Sequence, residues 1–126
     1  MWNRELALNH LNTHALAASI GRCAEYVRRA IEAGGIHLVR KTSAKDYGSS
    51  LQSVGFNCTT SAGANYSAGD VAVIQPIDGH PHGHMAMYNG QIWISDFRQY
   101  HGFYPSPSYR SIKPPVKVYR YPTAGA

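Results

Sequence analysis

A chain of 126 residues with 44% apolar residues is long enough for one buried core and short for two, so residues 1–126 read as a single domain. A charged fraction of 15% excludes the composition of a disordered chain, and no apolar stretch approaches the ~20 residues of a membrane-spanning helix. The formal net charge of +5 and a pI near 9.4 suit an anionic partner such as the acidic bacterial cell wall, but the lysines and arginines are scattered, without the basic-aromatic interleaving of nucleic-acid modules.

The first ten residues carry Glu5 and polar breaks instead of an apolar core, so a secretory signal is not expected and the protein is expected to be soluble when made. Residues 3–18 place Leu6, Ala7, Leu8, Leu11 and Ala15 at partly helical spacing and predict a short helix with frayed ends. Residues 19–35 predict the best-defined helix: Ser19 as its cap, Cys23, Val27, Ala30 and Ile31 as one stripe, and Gly34-Gly35 as a left-handed stop. A third helix is expected over residues 43–54, with Tyr47, Leu51 and Val54 on one face and Gly55 ending it.

Beyond Gly55 the chain changes character, first to turn-forming Ser, Gly and Asn residues. Runs at 69–76, 83–88 and 91–96 then read as strands, with Asn89-Gly90 marking a hairpin, and 116–121 supplies a last strand. Residues 97–115, rich in Tyr, Pro and Ser, are expected to form an irregular packed loop. Helices first and strands second argue for an α+β domain with helices on one side of an antiparallel sheet.

Two residues carry the chemistry. Cys23 falls at the first turn of the second helix, where unpaired amide donors and the helix dipole favour thiolate over thiol. His84 opens a strand and can serve as its base, and Asp96 on the adjacent strand is the candidate third residue, the one that orients the imidazole. Register decides whether Asp96 can do so. A two-residue turn at Asn89-Gly90 sets His84 opposite Ser95, with Met85, Met87, Ile92 and Ile94 as the apolar face. A three-residue loop with a bulge sets His84 opposite Asp96 and turns Ala86, Tyr88, Ile92 and Ile94 to the helices; the second is the expectation here.

Cys23 with the helical run that follows, Gly69-Asp70 opening one strand and Gly83-His84 opening the next together resemble the papain-like peptidoglycan amidases of the NlpC and CHAP type, over roughly residues 19–96. Small size and positive charge look most like the type VI secretion amidase effectors, with phage lysins close behind. The resemblance implies a papain-like fold and a cysteine amidase that hydrolyses peptide bonds of peptidoglycan through Cys23, His84 and Asp96, with no cofactor and no metal. It also implies delivery into the periplasm of a competing bacterium and a cognate immunity protein in the producing cell.

Other readings stand beside this one. His80, His82 and His84 alternate along the chain as metal-binding imidazoles do, although Pro81 and the flanking glycines favour a loop. Asp70 reads as a turn residue bonding local amides, and Cys58 as a buried spectator. A disulfide between Cys23 and Cys58 would silence the thiol. A basic nucleic-acid module is the weakest reading, and neither nucleic acid nor membrane is expected as a partner.

Overall fold

The computed structural model describes residues 2–59 and 65–122, so part of the Ser-, Gly- and Asn-rich stretch expected to form turns, residues 60–64, lies outside the described residues. Asn3 starts the first helix, α1 (Arg4–His14), by accepting a hydrogen bond from the Leu6 amide at 3.1 Å. Ala7 and Leu11, four apart, turn inward from it. The second helix, α2 (Cys23–Ala33), buries Val27, Ala30 and Ile31 as the spacing predicts, and Gly35 ends it at φ 96°, a left-handed conformation that glycine adopts without strain. The third, α3 (Tyr47–Ser53), follows a single 3-10 turn at Ala44–Asp46.

Six strands make one sheet: β1 (Asn57–Thr59), β2 (Val71–Ile74), β3 (His84–Tyr88), β4 (Trp93–Ile94), β5 (Arg98–Gln99) and β6 (Val116–Arg120). Their spatial order is β1-β6-β2-β3-β4-β5, every pair antiparallel. The last strand is therefore inserted between the first and second, which ties the C-terminal part of the chain into the middle of the sheet.

Alternation along the strands builds two cores. Val71, Val73, Met85, Met87 and Ile94 pack with Leu11, Val27, Ile31, Leu51 and Phe56 on the side of the three N-terminal helices. Ala72, Ile74, Ala86, Trp93 and Val118 face the other way, beneath Tyr66, Phe103, Tyr104 and Tyr109. Each fully buried Met, Ile or Val contributes about 1.5–3 kcal/mol relative to exposure, so both faces are stabilised by burial.

The second core corrects the expectation that residues 97–115 are irregular. They hold β5 and a short helix, α4 (Pro107–Ile112), which Ser106 caps through the Tyr109 amide at 3.3 Å. Helices thus lie on both faces of the sheet, with the three N-terminal ones sharing one.

The hairpin between β3 and β4 also departs from expectation. Tyr88 pairs with Trp93 and Met87 with Ile94, so the loop has four residues, 89–92, instead of two or three. Asn89 makes it: its side-chain oxygen accepts from the Gln91 and Ile92 amides, both at 2.8 Å. One residue more than the bulged loop exchanges the faces. Ala86 and Tyr88 turn away from the helices, and the helix side takes Met85, Met87, Ile92 and Ile94, the set that belongs to the two-residue turn.

Candidate active site

Cys23 is the first residue of α2, and its helix start is capped from the sheet. Arg22 at the cap position makes no side-chain cap bond, and the expected cap Ser19 makes none to the helix. The buried Asp96 does the work instead. Its Oδ2 accepts from the amides of Ile20 at 2.8 Å and Arg22 at 3.0 Å and from the Ser19 hydroxyl at 3.1 Å, while Oδ1 accepts from Ser95 Oγ at 3.3 Å. A carboxylate at a helix N-terminus satisfies orphan donors and complements the dipole at once. The register shift separates Asp96 from His84: Ile94 keeps the helix-facing side expected of it, Asp96 follows in the turn between β4 and β5, and it is His84 that changes face.

His84 faces the opposite side, against Tyr109, with ring centroids 6.2 Å apart. Its Nε2 lies 2.7 Å from Gln99 Oε1. The Gln99 amide nitrogen donates to the carbonyls of Gly102 at 3.1 Å and Phe103 at 2.9 Å, which consumes both its hydrogens. Its oxygen must therefore be the atom facing the imidazole. Nε2 consequently carries the proton of the neutral ring, and Nδ1 holds the basic lone pair. The residue that orients His84 is thus Gln99, while the hydrogen bonds of Asp96 go to the approach to α2. Neither composition nor periodicity marked Gln99, because it sits in a two-residue strand within a stretch that reads as loop.

One cleft of about 360 Å³ is lined by both Cys23 and His84, together with Ser19, His80, Phe97 and Tyr109 among others. Cys23 is partly exposed there. Cys23 also packs against the core cluster that holds Met85, the residue after His84. The electrostatics correct the expectation of a ready thiolate. Burial pushes the Cys23 thiol up to about 11, against amide hydrogen bonds that favour the anion, and the charge of Asp96 adds to the rise. Burial pushes the His84 imidazole down to about 4, although the Gln99 hydrogen bond and the Asp96 charge oppose it. Both shifts favour the uncharged forms, a neutral thiol and a neutral imidazole lining the same cleft.

The remaining candidates have other partners. His82 Nδ1 lies 2.6 Å from Ser43 Oγ, His80 packs against Tyr109, and among the described residues no three His, Cys, Asp or Glu side chains gather as a metal site would need. Asp70 is fully buried in a two-toothed ion pair with Arg120, Nε to Oδ1 at 2.9 Å and a terminal nitrogen to Oδ2 at 2.8 Å, and also accepts the Ser67 amide. Both cysteines are free. Among the described residues no helix is long and apolar enough to cross a membrane.

No protein-family model matches the chain, and no curated protein does. Among solved structures, the chain is similar to a chain of the native type VI effector-immunity complex Tae3-Tai3 from Ralstonia pickettii, with 56% identity and a TM-score of 0.90, over 96% of this chain and 100% of that one. The selenomethionine form of the same complex matches at 57% identity and a TM-score of 0.84, over 90% and 98%. A more distant likeness, to the structure of Ly7917 at 19% identity and a TM-score of 0.58, covers 95% of this chain and 62% of that one, and shows a shared fold alone.

Proposed function

The chain belongs to the Tae3 family of type VI effectors, and from that premise we propose that it is a papain-like cysteine amidase of the NlpC/CHAP kind that hydrolyses peptide bonds of bacterial peptidoglycan. The observation that carries this reading is the pair of Cys23 and His84 on one cleft, with Gln99 holding the imidazole so that Nδ1 is the basic nitrogen. Residues 1–126 act as one catalytic domain.

In this reading Cys23 Sγ attacks the amide carbonyl as His84 Nδ1 takes the thiol proton, so no free thiolate needs to accumulate. The negative oxygen of the tetrahedral adduct is met by the backbone N–H of Cys23, one of the donors that a helix start leaves without an intrahelical partner. Collapse breaks the carbon–nitrogen bond as the imidazolium returns its proton to the departing amine. Water, giving its proton to His84, then cleaves the thioester and restores the thiol. Asp96 is the third residue by position: it seats the start of α2, hence the sulfur, and its charge favours the transient imidazolium.

The function extends to the cellular setting by family membership. The protein is an antibacterial toxin, delivered by the type VI apparatus and active in the periplasm of the target cell, and a cognate immunity protein plugs its cleft. The test uses purified cell walls. Wild type releases muropeptides whose masses identify the bond cut, whereas Cys23→Ala and His84→Ala, folded by circular dichroism, release none. Digestion retained in both variants ends the reading.

A further inference from the structure

The cleft described above is one arm of a longer groove. A second concavity, about 340 Å³, shares Gly21, Cys23 and His82 with it, so the two meet at the thiol. Their chemistries differ: the first arm offers Phe97, Pro105 and Tyr109, the second Arg22, Glu25, Arg28, Arg40, Lys41 and Tyr47.

Pairing removes some of that charge and leaves the rest. Arg28 is held by Glu32 at 2.9 Å, and Glu25 by Arg29 at 2.9 Å. Arg22, Arg40 and Lys41 are exposed and, among the described residues, have no carboxylate within ion-pair distance. Three uncommitted cations in a concavity that ends at the nucleophile are more than a solvated face requires.

The segment that begins at Lys41, directly after Arg40, is fixed in place. Tyr47 Oη donates to the Lys41 carbonyl at 3.3 Å, Ser43 Oγ meets His82 Nδ1 at 2.6 Å, and the Lys45 amide donates to the His82 carbonyl at 2.9 Å. Residues 41–45 are thereby stapled both to the core and to the histidine loop that walls the first arm. A rigid mount lowers the entropy lost when a ligand is held.

We propose that the basic arm is a subsite for a free carboxylate of the substrate peptide, contacted by Arg40 and Lys41 with Arg22 at the edge beside Cys23. A guanidinium fork matches the two coplanar oxygens of a carboxylate. The aromatic arm takes the portion of the peptide on the other side of the scissile amide. The enzyme thus selects peptides that are anionic on one side of that bond, as unamidated stem peptides are. This deepens the proposed amidase reading and rests on it for the identity of the substrate.

Binding to the Cys23→Ala protein tests the subsite without turnover. Two synthetic stem peptides are titrated by calorimetry, one with free carboxylates and one with those groups amidated. The acid form is expected to bind about tenfold more tightly, the order of one charge-assisted contact in a partly exposed site. Arg40→Gln with Lys41→Gln, both on the exposed surface, is expected to abolish the difference while leaving the melting temperature unchanged. Equal binding of the two peptides, binding of neither, or a preference that survives in the double variant overturns the subsite. Wild-type digestion of cell walls that also persists in Cys23→Ala and His84→Ala overturns the amidase reading instead, so the two failures are distinct.

Discussion

Gln99 Oε1 and His84 Nε2 stand 2.7 Å apart, and both hydrogens of the Gln99 amide are already given to the carbonyls of Gly102 and Phe103. The tautomer of the candidate base is therefore set by the segment from β5 to Phe103, far along the sequence from the helix that carries the thiol.

Replacing Gln99 tests that arrangement. Gln99→Ala is expected to lower kcat by roughly 100-fold with little change in KM, because the ring loses its fixed orientation and not its substrate contacts. Gln99→Glu puts a carboxylate against the Nε2 proton and is expected to move the acid limb of the pH–rate profile to higher pH. A profile unmoved in Gln99→Glu, together with full activity in Gln99→Ala, would falsify the positioning role.

Asp96 should behave as a cap with an electrostatic side effect. Asp96→Ala strands the amides of Ile20 and Arg22 and the Ser19 hydroxyl, and is expected to cost about 1–3 kcal/mol in urea unfolding. The Asp96 charge raises the Cys23 thiol, so Asp96→Asn is expected to speed alkylation of Cys23 by iodoacetamide at mildly alkaline pH. A residue that acted solely by orienting the imidazole would leave that rate unchanged or lower it.

The pH dependence of stability follows from His84. Burial sets its imidazole near 4 in the folded protein, against 6.5 for the free group, so the unfolded chain takes up the proton first. The contribution is complete above pH 6.5 and is lost as pH falls from there through about 4, on the order of 3 kcal/mol in total. Urea titrations across that window are expected to show a shallower slope in His84→Gln than in wild type. Parallel slopes would mean that His84 is not held neutral.

Labelling kinetics check the partner. With Cys58→Ser removing the second thiol, Cys23 is expected to react slowly with iodoacetamide at neutral pH and to accelerate as pH climbs toward about 11. Rapid labelling at neutral pH, insensitive to further base, would indicate a preformed thiolate–imidazolium pair and sink the neutral resting state.

The ion pair of Asp70 and Arg120 joins the turn before β2 to the end of β6, away from the thiol. Arg120→Met leaves a buried carboxylate with the Ser67 amide as its remaining donor and is expected to destabilise by about 3 kcal/mol. Cell-wall digestion measured below the lowered melting temperature is expected to stay near wild type. Loss of activity in a folded Arg120→Met would give the pair a catalytic part that the geometry does not suggest.

Long periodic elements were legible in the residues, and short ones were not. Val27, Ala30 and Ile31 announce α2, and the apolar runs announce β2, β3 and β6, because burial imposes a repeat that a reader can see. β1, β5 and α4 have three, two and six residues, too few to show any repeat; neighbouring strands and the Ser106 cap hold them. Cys23 and His84 stood out through residue type and place, and the fold sets both on one cleft. Asp96 was expected opposite His84 and Gln99 stands there instead, for a physical reason: Asn89 folds its own side chain into the loop, lengthens it to four residues and turns His84 to the face away from the helices. An Asn side chain can cap turns of several lengths, so its presence marks a turn without fixing the number of residues in it.

The cap on α2 is supplied from 74 residues further along the chain, and the imidazole's partner comes later still. During synthesis, then, the sulfur emerges long before anything can aim it. Residue 96 must have left the ribosome before the helix start acquires its carboxylate, so the thiol and the group that seats it come together only after strands β1 to β4 have been made.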